Sequence, residues 1–218
     1  MTIAREAHLV DLVDPSGTSI GEATVEAAHV APGRLHRAFS VFLRDPASGQ
    51  VLLQQRAAVK TRFPLRWANT CCGHPLPGED VRVAAQRRLA EELGVTGVPL
   101  TPVGVYTYRA EDPATGRVEH EYDHVLLGDL PAPDRFSPDR FSPDVFSPDA
   151  FSPDRFSPDR FSPDVFSPDA AEVADLRWEY PAALLAGLSI DPARYAPWLA
   201  GVTGCLVEHL ALEQPGGR

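Results

Sequence analysis

No stretch of this chain is apolar for anything close to the ~20 residues a bilayer requires. Tyr180 to Leu188 is short, and Trp198 to Leu212 is broken by Gly, Thr, Glu and His. Composition therefore argues against a membrane-spanning protein. The N-terminus scatters Arg5, Glu6, Asp11 and Asp14 among its apolar residues and shows no secretory signal, so a cytoplasmic location is the default expectation. A basic excess is also missing: Lys and Arg total 20 against 30 Asp and Glu, a formal charge of −10. Nucleic-acid and anionic-membrane binders need a basic footprint, so neither partner is expected, and an anionic small molecule would need a local positive site. Cysteine is scarce. Three residues, with Cys71 and Cys72 adjacent, cannot make a disulfide framework. That leaves a thiol for chemistry or for packing, and Cys205 in the last apolar segment reads as core. No feature points to an obligate protein partner.

Proline, by contrast, is abundant: 22 residues in 218, about double the ordinary ~5% usage. The excess has one source. From Arg135 to Asp169 the chain repeats x-Phe-Ser-Pro-Asp seven times, and these 35 residues hold 7 of the 22 Pro and 7 of the 10 Phe. Taking 35 from 218 leaves a body of 183 residues whose only Phe are Phe39, Phe42 and Phe63. A period of five matches neither helix nor strand, and each Pro removes a backbone donor and biases the Ser before it to extended geometry. The chain is thus read as one domain over residues 1–218, with 135–169 a disordered loop inserted at little entropic cost. The alternatives are a pentapeptide-repeat β-helix, in which each Pro would break a ladder hydrogen bond, and a partner-binding strip of exposed Phe on a non-catalytic scaffold.

In the body, His8 to Asp14 reads as a strand, and His36 to Leu43 with Val51 to Gln55 as a hairpin. Glu79 to Leu93 is the clearest helix, with Val81, Ala84, Ala85 and Leu89 at helical spacing, acids at its start and Gly94 as its stop. Strands are expected at Val103 to Tyr108, Glu121 to Leu127 and Asp175 to Glu179, followed by helices from Pro181 divided by Pro192 and Pro197. This order suggests an α/β sandwich rather than a regular βαβ array.

The helix carries Gly73-x5-Glu79-x7-Arg87-Arg88-Leu89-x-Glu91-Glu92-x-Gly94-Val95, which resembles the Nudix signature at every fixed position but one. In that motif helical carboxylates reach a divalent cation that holds a diphosphate. Arg88 stands where a Nudix hydrolase has a Glu. A cation cannot join a metal's ligand shell, but a guanidinium can grip a phosphate, so the departure favours diphosphate recognition over a Nudix diphosphohydrolase. Near the helix lie His29, His36, His74, Glu119 and Glu121. Glu119 and Glu121, two apart on a strand, face one side, and three imidazoles with two carboxylates suit a five- or six-coordinate Mn²⁺, Mg²⁺ or Zn²⁺.

His29-x6-His36, Trp67-x-Asn69-Thr70-Cys71-Cys72-Gly73-His74-Pro75, and Tyr108-Arg109-Ala110 followed by Glu119-x-Glu121 together resemble the type I isopentenyl-diphosphate Δ-isomerases. The resemblance spans essentially the whole body. It implies a Nudix-like α/β/α sandwich with a mixed sheet and a central helix. It further implies a small diphosphate substrate, catalytic Cys72 and Glu121 with Tyr108 assisting, and Trp198 facing a carbocation. The metal ligands it implies are His29, His36, His74, Glu119 and Glu121, with Glu92 and the Cys72 carbonyl for a Mg²⁺ arriving with the diphosphate. Arg56, Lys60 and Arg88 match phosphate-binding positions, Trp67 is a candidate pocket wall, and Val25 stands at a usually basic position.

Overall fold

The computed structural model of the chain describes residues 5–130 and 166–213. In chain order the strands are β1 (Leu9–Val13), β2 (Ser19–Thr24), β3 (His36–Arg44), β4 (Val51–Arg56), β5 (Trp67–Ala68), β6 (Cys71–Gly73), β7 (Thr101–Glu111), β8 (Val118–Asp129) and β9 (Val173–Glu179). The helices are α1 (Val25–His29), α2 (Val81–Leu93), α3 (Pro181–Ile190) and α4 (Leu199–Glu213), and a 3₁₀ turn at Pro192–Arg194 lies where the prolines divide the C-terminal region. All nine strands join one mixed sheet with β3 at its centre, paired antiparallel to β1, β4 and β6 and parallel to β8.

The expected hairpin between β3 and β4 survives only at its base, where Arg44 opposes Val51. Beyond that point β8 runs beside β3 from His36↔Glu121 to Arg44↔Asp129, while β9 takes the edge of β4. Neighbours in sequence lost to partners about eighty residues or more away because both strands are buried and need a partner on each side.

Strand alternation sorts the core into two layers. Phe39, Val41 and Leu43 of β3 join Ala84, Ala85, Leu89 and Leu93 of α2 on one face. On the other, Phe42 joins Val125 and Leu127 of β8 and Leu199, Val202 and Leu206 of α4. The result is the expected helix–sheet–helix sandwich. Among the described residues no helix is long and apolar enough to cross a membrane.

The start of α2 differs from the sequence reading. Asp80 is its cap, accepting hydrogen bonds from the backbone N–H groups of Arg82 and Val83. Glu79 stays outside, accepting from the Leu76 N–H and pairing with Arg87. The helix does end at Gly94, at φ 71°.

That end is also where the repeat meets the body. The expected disordered loop at 135–169 lies outside the described residues as far as 165, while Phe166 to Asp169 are described and packed against the body. Phe166 joins the α2-side core, and the backbone N–H groups of Ser167 and Asp169 donate to the carbonyls of Leu93 (2.7 Å) and Glu92 (2.9 Å). These are the acceptors a helix C-terminus leaves open. A Cβ at Gly94 would sit 3.1 Å from the Ser167 side chain, on a left-handed backbone. Gly94→Ala is therefore expected to cost about 1–2 kcal/mol, read as a shifted urea-unfolding midpoint at unchanged slope.

Candidate active site and metal centre

Five side chains converge where α1, β3, β6 and β8 meet. Thr24 caps α1 through its hydroxyl oxygen, and that single turn sends His29 into the interior, fully buried. His36 opens β3, His74 follows β6, and Glu119 and Glu121 share one face of β8, with Glu121 opposite His36 in the parallel register. His29 Nε2 lies 2.7 Å from Glu119 Oε2, His74 Nε2 lies 3.0 Å from Glu121 Oε1, and the Nε2 atoms of His36 and His74 are 3.2 Å apart. One ligand atom from each of the five falls within 4.8 Å of every other.

The donor chemistry fits a divalent cation. His29 and His36 donate from Nδ1 to the Val25 and Arg34 carbonyls, which in the neutral ring leaves the Nε2 lone pair pointing inward. Burial, helped by the neighbouring imidazoles, brings His74 down to about 4, so it is neutral at ordinary pH. Lone pairs and carboxylates facing one another at these distances are satisfied by an ion with bonds of ~2.1 Å, which spaces opposite ligands by about 4.2 Å. The cluster is thus compatible with a divalent metal.

A cavity opens beside the cluster. Cys72, Tyr108, Glu121 and Trp198 line it. Alternation along β6 separates the two thiols: Cys71 is buried in the α2-side core, while Cys72 faces the cavity. Burial pushes the Cys72 thiol up to about 12, against the pull of Arg56. Tyr108 donates its hydroxyl to Glu121 Oε2 at 2.7 Å. Burial and the Glu119 charge raise the Glu121 carboxyl, but its close contacts with the His36 and His74 rings outweigh them and bring it down to about 2. Trp198 gives its indole N–H to Asn69 Oδ1 at 3.0 Å, and its ring lies 5.2 Å from the Arg56 guanidinium carbon. The ring therefore already borders a positive charge.

The wall also carries a group of cations. Arg56 uses Nε and Nη2 on the carbonyls of Phe63 (3.1 Å) and Arg62 (2.8 Å) and turns Nη1 toward Cys72 Sγ at 3.7 Å. Phe63 and Leu65 adopt φ values of 46° and 60° in this loop, a backbone strain of roughly 1–2 kcal/mol per residue. Lys60 pairs with Glu172, and Arg88 pairs with Glu91 and with the buried Glu92. Arg5 and Arg87 also reach the cavity.

Some sequence expectations change here. Trp67 does not line the cavity: it is core, bridged to Tyr195 with Arg177 stacked 4.2 Å from its ring centroid, because β5 pairs with β4 and turns the ring inward. Val25 does line it, as an apolar wall. Arg62 went unnoticed in the sequence. It donates to Glu119 Oε1 and Glu6 Oε1, each at 2.9 Å, and no motif spacing marks it. Glu172 was missed as well. Of the remaining histidines, His8 borders the cavity, whereas His120, His124 and His209 meet Gly33, Arg37 and Glu213.

A mixed sheet between helices, with a charged α2 under a metal-competent cavity, defines a Nudix protein, and a family model described as NUDIX domain matches residues 34–164, more than half the chain. A protein of Deinococcus radiodurans shares this fold at a TM-score of 0.61 and 19% identity, over 91% of this chain and 99% of its own. The isopentenyl-diphosphate Delta-isomerase of Nocardia farcinica is 54% identical over 88% of this chain and 91% of its own length. That of Halorhodospira halophila is 39% identical over 88% and 90%. The chain belongs to the isopentenyl-diphosphate Δ-isomerase family, within the Nudix fold.

Proposed function

We propose that this enzyme interconverts isopentenyl and dimethylallyl diphosphate, a step of isoprenoid biosynthesis. The observation that carries the reading is one cavity with a thiol, a tyrosine-bonded carboxyl, an indole face and a cationic rim. Moving the double bond from C3=C4 to C2=C3 adds a proton at C4 and removes one at C2, through a tertiary carbocation. The chemistry needs two groups that can exchange a proton, one on each side of the substrate, and Cys72 and Glu121 are the cavity's candidates. Tyr108 holds Glu121 in place through its hydroxyl. Trp198, with Tyr108 beside it, offers a π-face to the cation and nothing that reacts with it.

His29, His36, His74, Glu119 and Glu121 would hold one divalent ion, Mn²⁺, Mg²⁺ or Zn²⁺, and Glu92 with the Cys72 carbonyl would meet a Mg²⁺ brought by the diphosphate. Bound there, such ions supply fixed positive charge that tunes Glu121 and offsets the diphosphate. Arg56, Lys60 and Arg88 receive the diphosphate itself. No step of this chemistry falls on the repeat.

The test is product analysis by NMR in D₂O, with Mg²⁺ and Mn²⁺ present. Dimethylallyl diphosphate deuterated at C4, with no orthophosphate released, is the expected result. Unchanged isopentenyl diphosphate together with hydrolysis of a nucleoside diphosphate derivative would overturn the reading. In the same assay Tyr108→Phe, which keeps the ring and loses the donor to Glu121, is expected to lower kcat by about 10–100-fold with the thermal midpoint held.

A further inference from the structure

We propose that Glu172 is a positioning residue for the diphosphate cradle, gathering Lys60, Arg88 and Arg5 at one edge of the cavity. The proposal rests on the reading above, that a diphosphate occupies this cavity. Glu172 is buried, at 5% exposure, yet it is bonded by charge on both oxygens. Oε1 forms an ion pair with Arg5 Nη1 at 2.6 Å; Oε2 takes the Lys60 ammonium and faces Arg88 Nη2 at 3.5 Å. Burial would raise its carboxyl, but Lys60, Arg88 and Arg5 hold it below the usual range, so it is ionised at neutral pH.

Three cations on three separate elements repel one another, and Lys60 and Arg5 are long side chains with many rotamers. The Glu172 carboxylate between them holds Lys60 and Arg5 toward the cavity before substrate arrives and shares Arg88 with Glu91 and Glu92. Binding then costs less side-chain ordering. Nothing in the proton transfers uses Glu172, so its burial and triple pairing call for another role.

Its own backbone is held from two sides. The Glu172 carbonyl accepts from the Ala57 N–H at 3.0 Å, which ties it to the loop bearing Lys60. Its N–H donates to the Asp169 carbonyl at 2.8 Å, and Asp169 Oδ1 accepts from the Ala171 N–H at 2.9 Å, closing a tight turn. Asp169 ends the last Phe-Ser-Pro-Asp unit, whose backbone donates to the end of α2. That unit thereby couples the helix of Arg88 to the carboxylate that orients it.

The experiment compares wild type, Glu172→Gln and Asp169→Ala by calorimetric titration with inorganic pyrophosphate and Mg²⁺, alongside steady-state turnover of isopentenyl diphosphate. Glu172→Gln is expected to raise the pyrophosphate Kd and the substrate KM about tenfold, the scale of coupling within one ion-pair network, with kcat within about twofold. In a Lys60→Met background the same change should add less than about twofold. Asp169→Ala, which keeps the carboxylate but loosens its turn, is expected to raise both constants about threefold and gives a second, independent readout. If wild type turns over substrate while Glu172→Gln binds pyrophosphate as well or more tightly, the positioning role is overturned. If wild type binds no pyrophosphate at all, the diphosphate reading falls, and this proposal with it.

Discussion

Cys72→Ala is expected to lower kcat by about 10⁴-fold, the upper end of what a positioned acid or base contributes, while the fold and the five-residue cluster stay as they were. The reason lies in β6. Its three residues alternate, so Cys71 goes to the α2-side core and Cys72 to the cavity. The Cys72 thiol is half-buried in the cavity wall, and burial lifts it to about 12, so at neutral pH it carries its proton. Alanine removes the only sulfur that lines the cavity among the described residues. It leaves Arg56, Trp198 and the five-residue cluster in place, since none of them depends on the sulfur for a short contact; Arg56 Nη1 is 3.7 Å away. Deuterium at C4 of the product in D₂O reads the step directly. Cys71→Ala is the control: it creates a small void in the core, costing about 1 kcal/mol, and leaves the cavity chemistry intact. A Cys72→Ala enzyme that retained more than a tenth of wild-type turnover would remove the thiol from the reaction.

The sequence carried most of this site because the informative residues sit on regular elements with readable periods. Glu119 and Glu121 are two apart on a strand, Gly94 stops a helix, and the adjacent cysteines fall on opposite faces of β6 once that segment is a strand. What was not legible depends on contacts between distant parts of the chain. Glu172 meets Lys60 across 112 positions and Arg62 meets Glu119 across 57, and neither belongs to a spaced motif. Local reasoning also overstated the β3–β4 hairpin, which the parallel β8 displaced. Trp67 shows the same limit: a motif neighbour of Cys72, it is sent into the core by pairing with β4. The seat of Phe166 to Asp169 was not legible either, because the open carbonyls of α2 that receive their backbone lie more than seventy positions earlier in the chain.

Glu121→Gln is expected to be as damaging as loss of the thiol, about 10⁴-fold in kcat, and excess metal should not rescue it. Two demands fall on this one carboxylate. Oε1 faces His74 Nε2 at 3.0 Å and His36 Nε2 at 3.7 Å within the ligand cluster, while Oε2 accepts the Tyr108 hydroxyl at 2.7 Å. The amide keeps the size but can neither take a proton nor place a negative oxygen on each side. Glu119 is the informative comparison. It belongs to the same ligand set, yet its Oε1 is held by Arg62 and its Oε2 by His29, and no group that handles protons toward the cavity touches it. Glu119→Gln should therefore weaken metal binding by at least about 10²-fold and recover turnover as Mn²⁺ or Mg²⁺ is added. Metal content by elemental analysis, measured beside kcat across a metal titration, separates the two variants. If saturating metal restored Glu121→Gln as fully as Glu119→Gln, Glu121 would be a ligand alone, and the proton opposite Cys72 would have to pass through another group.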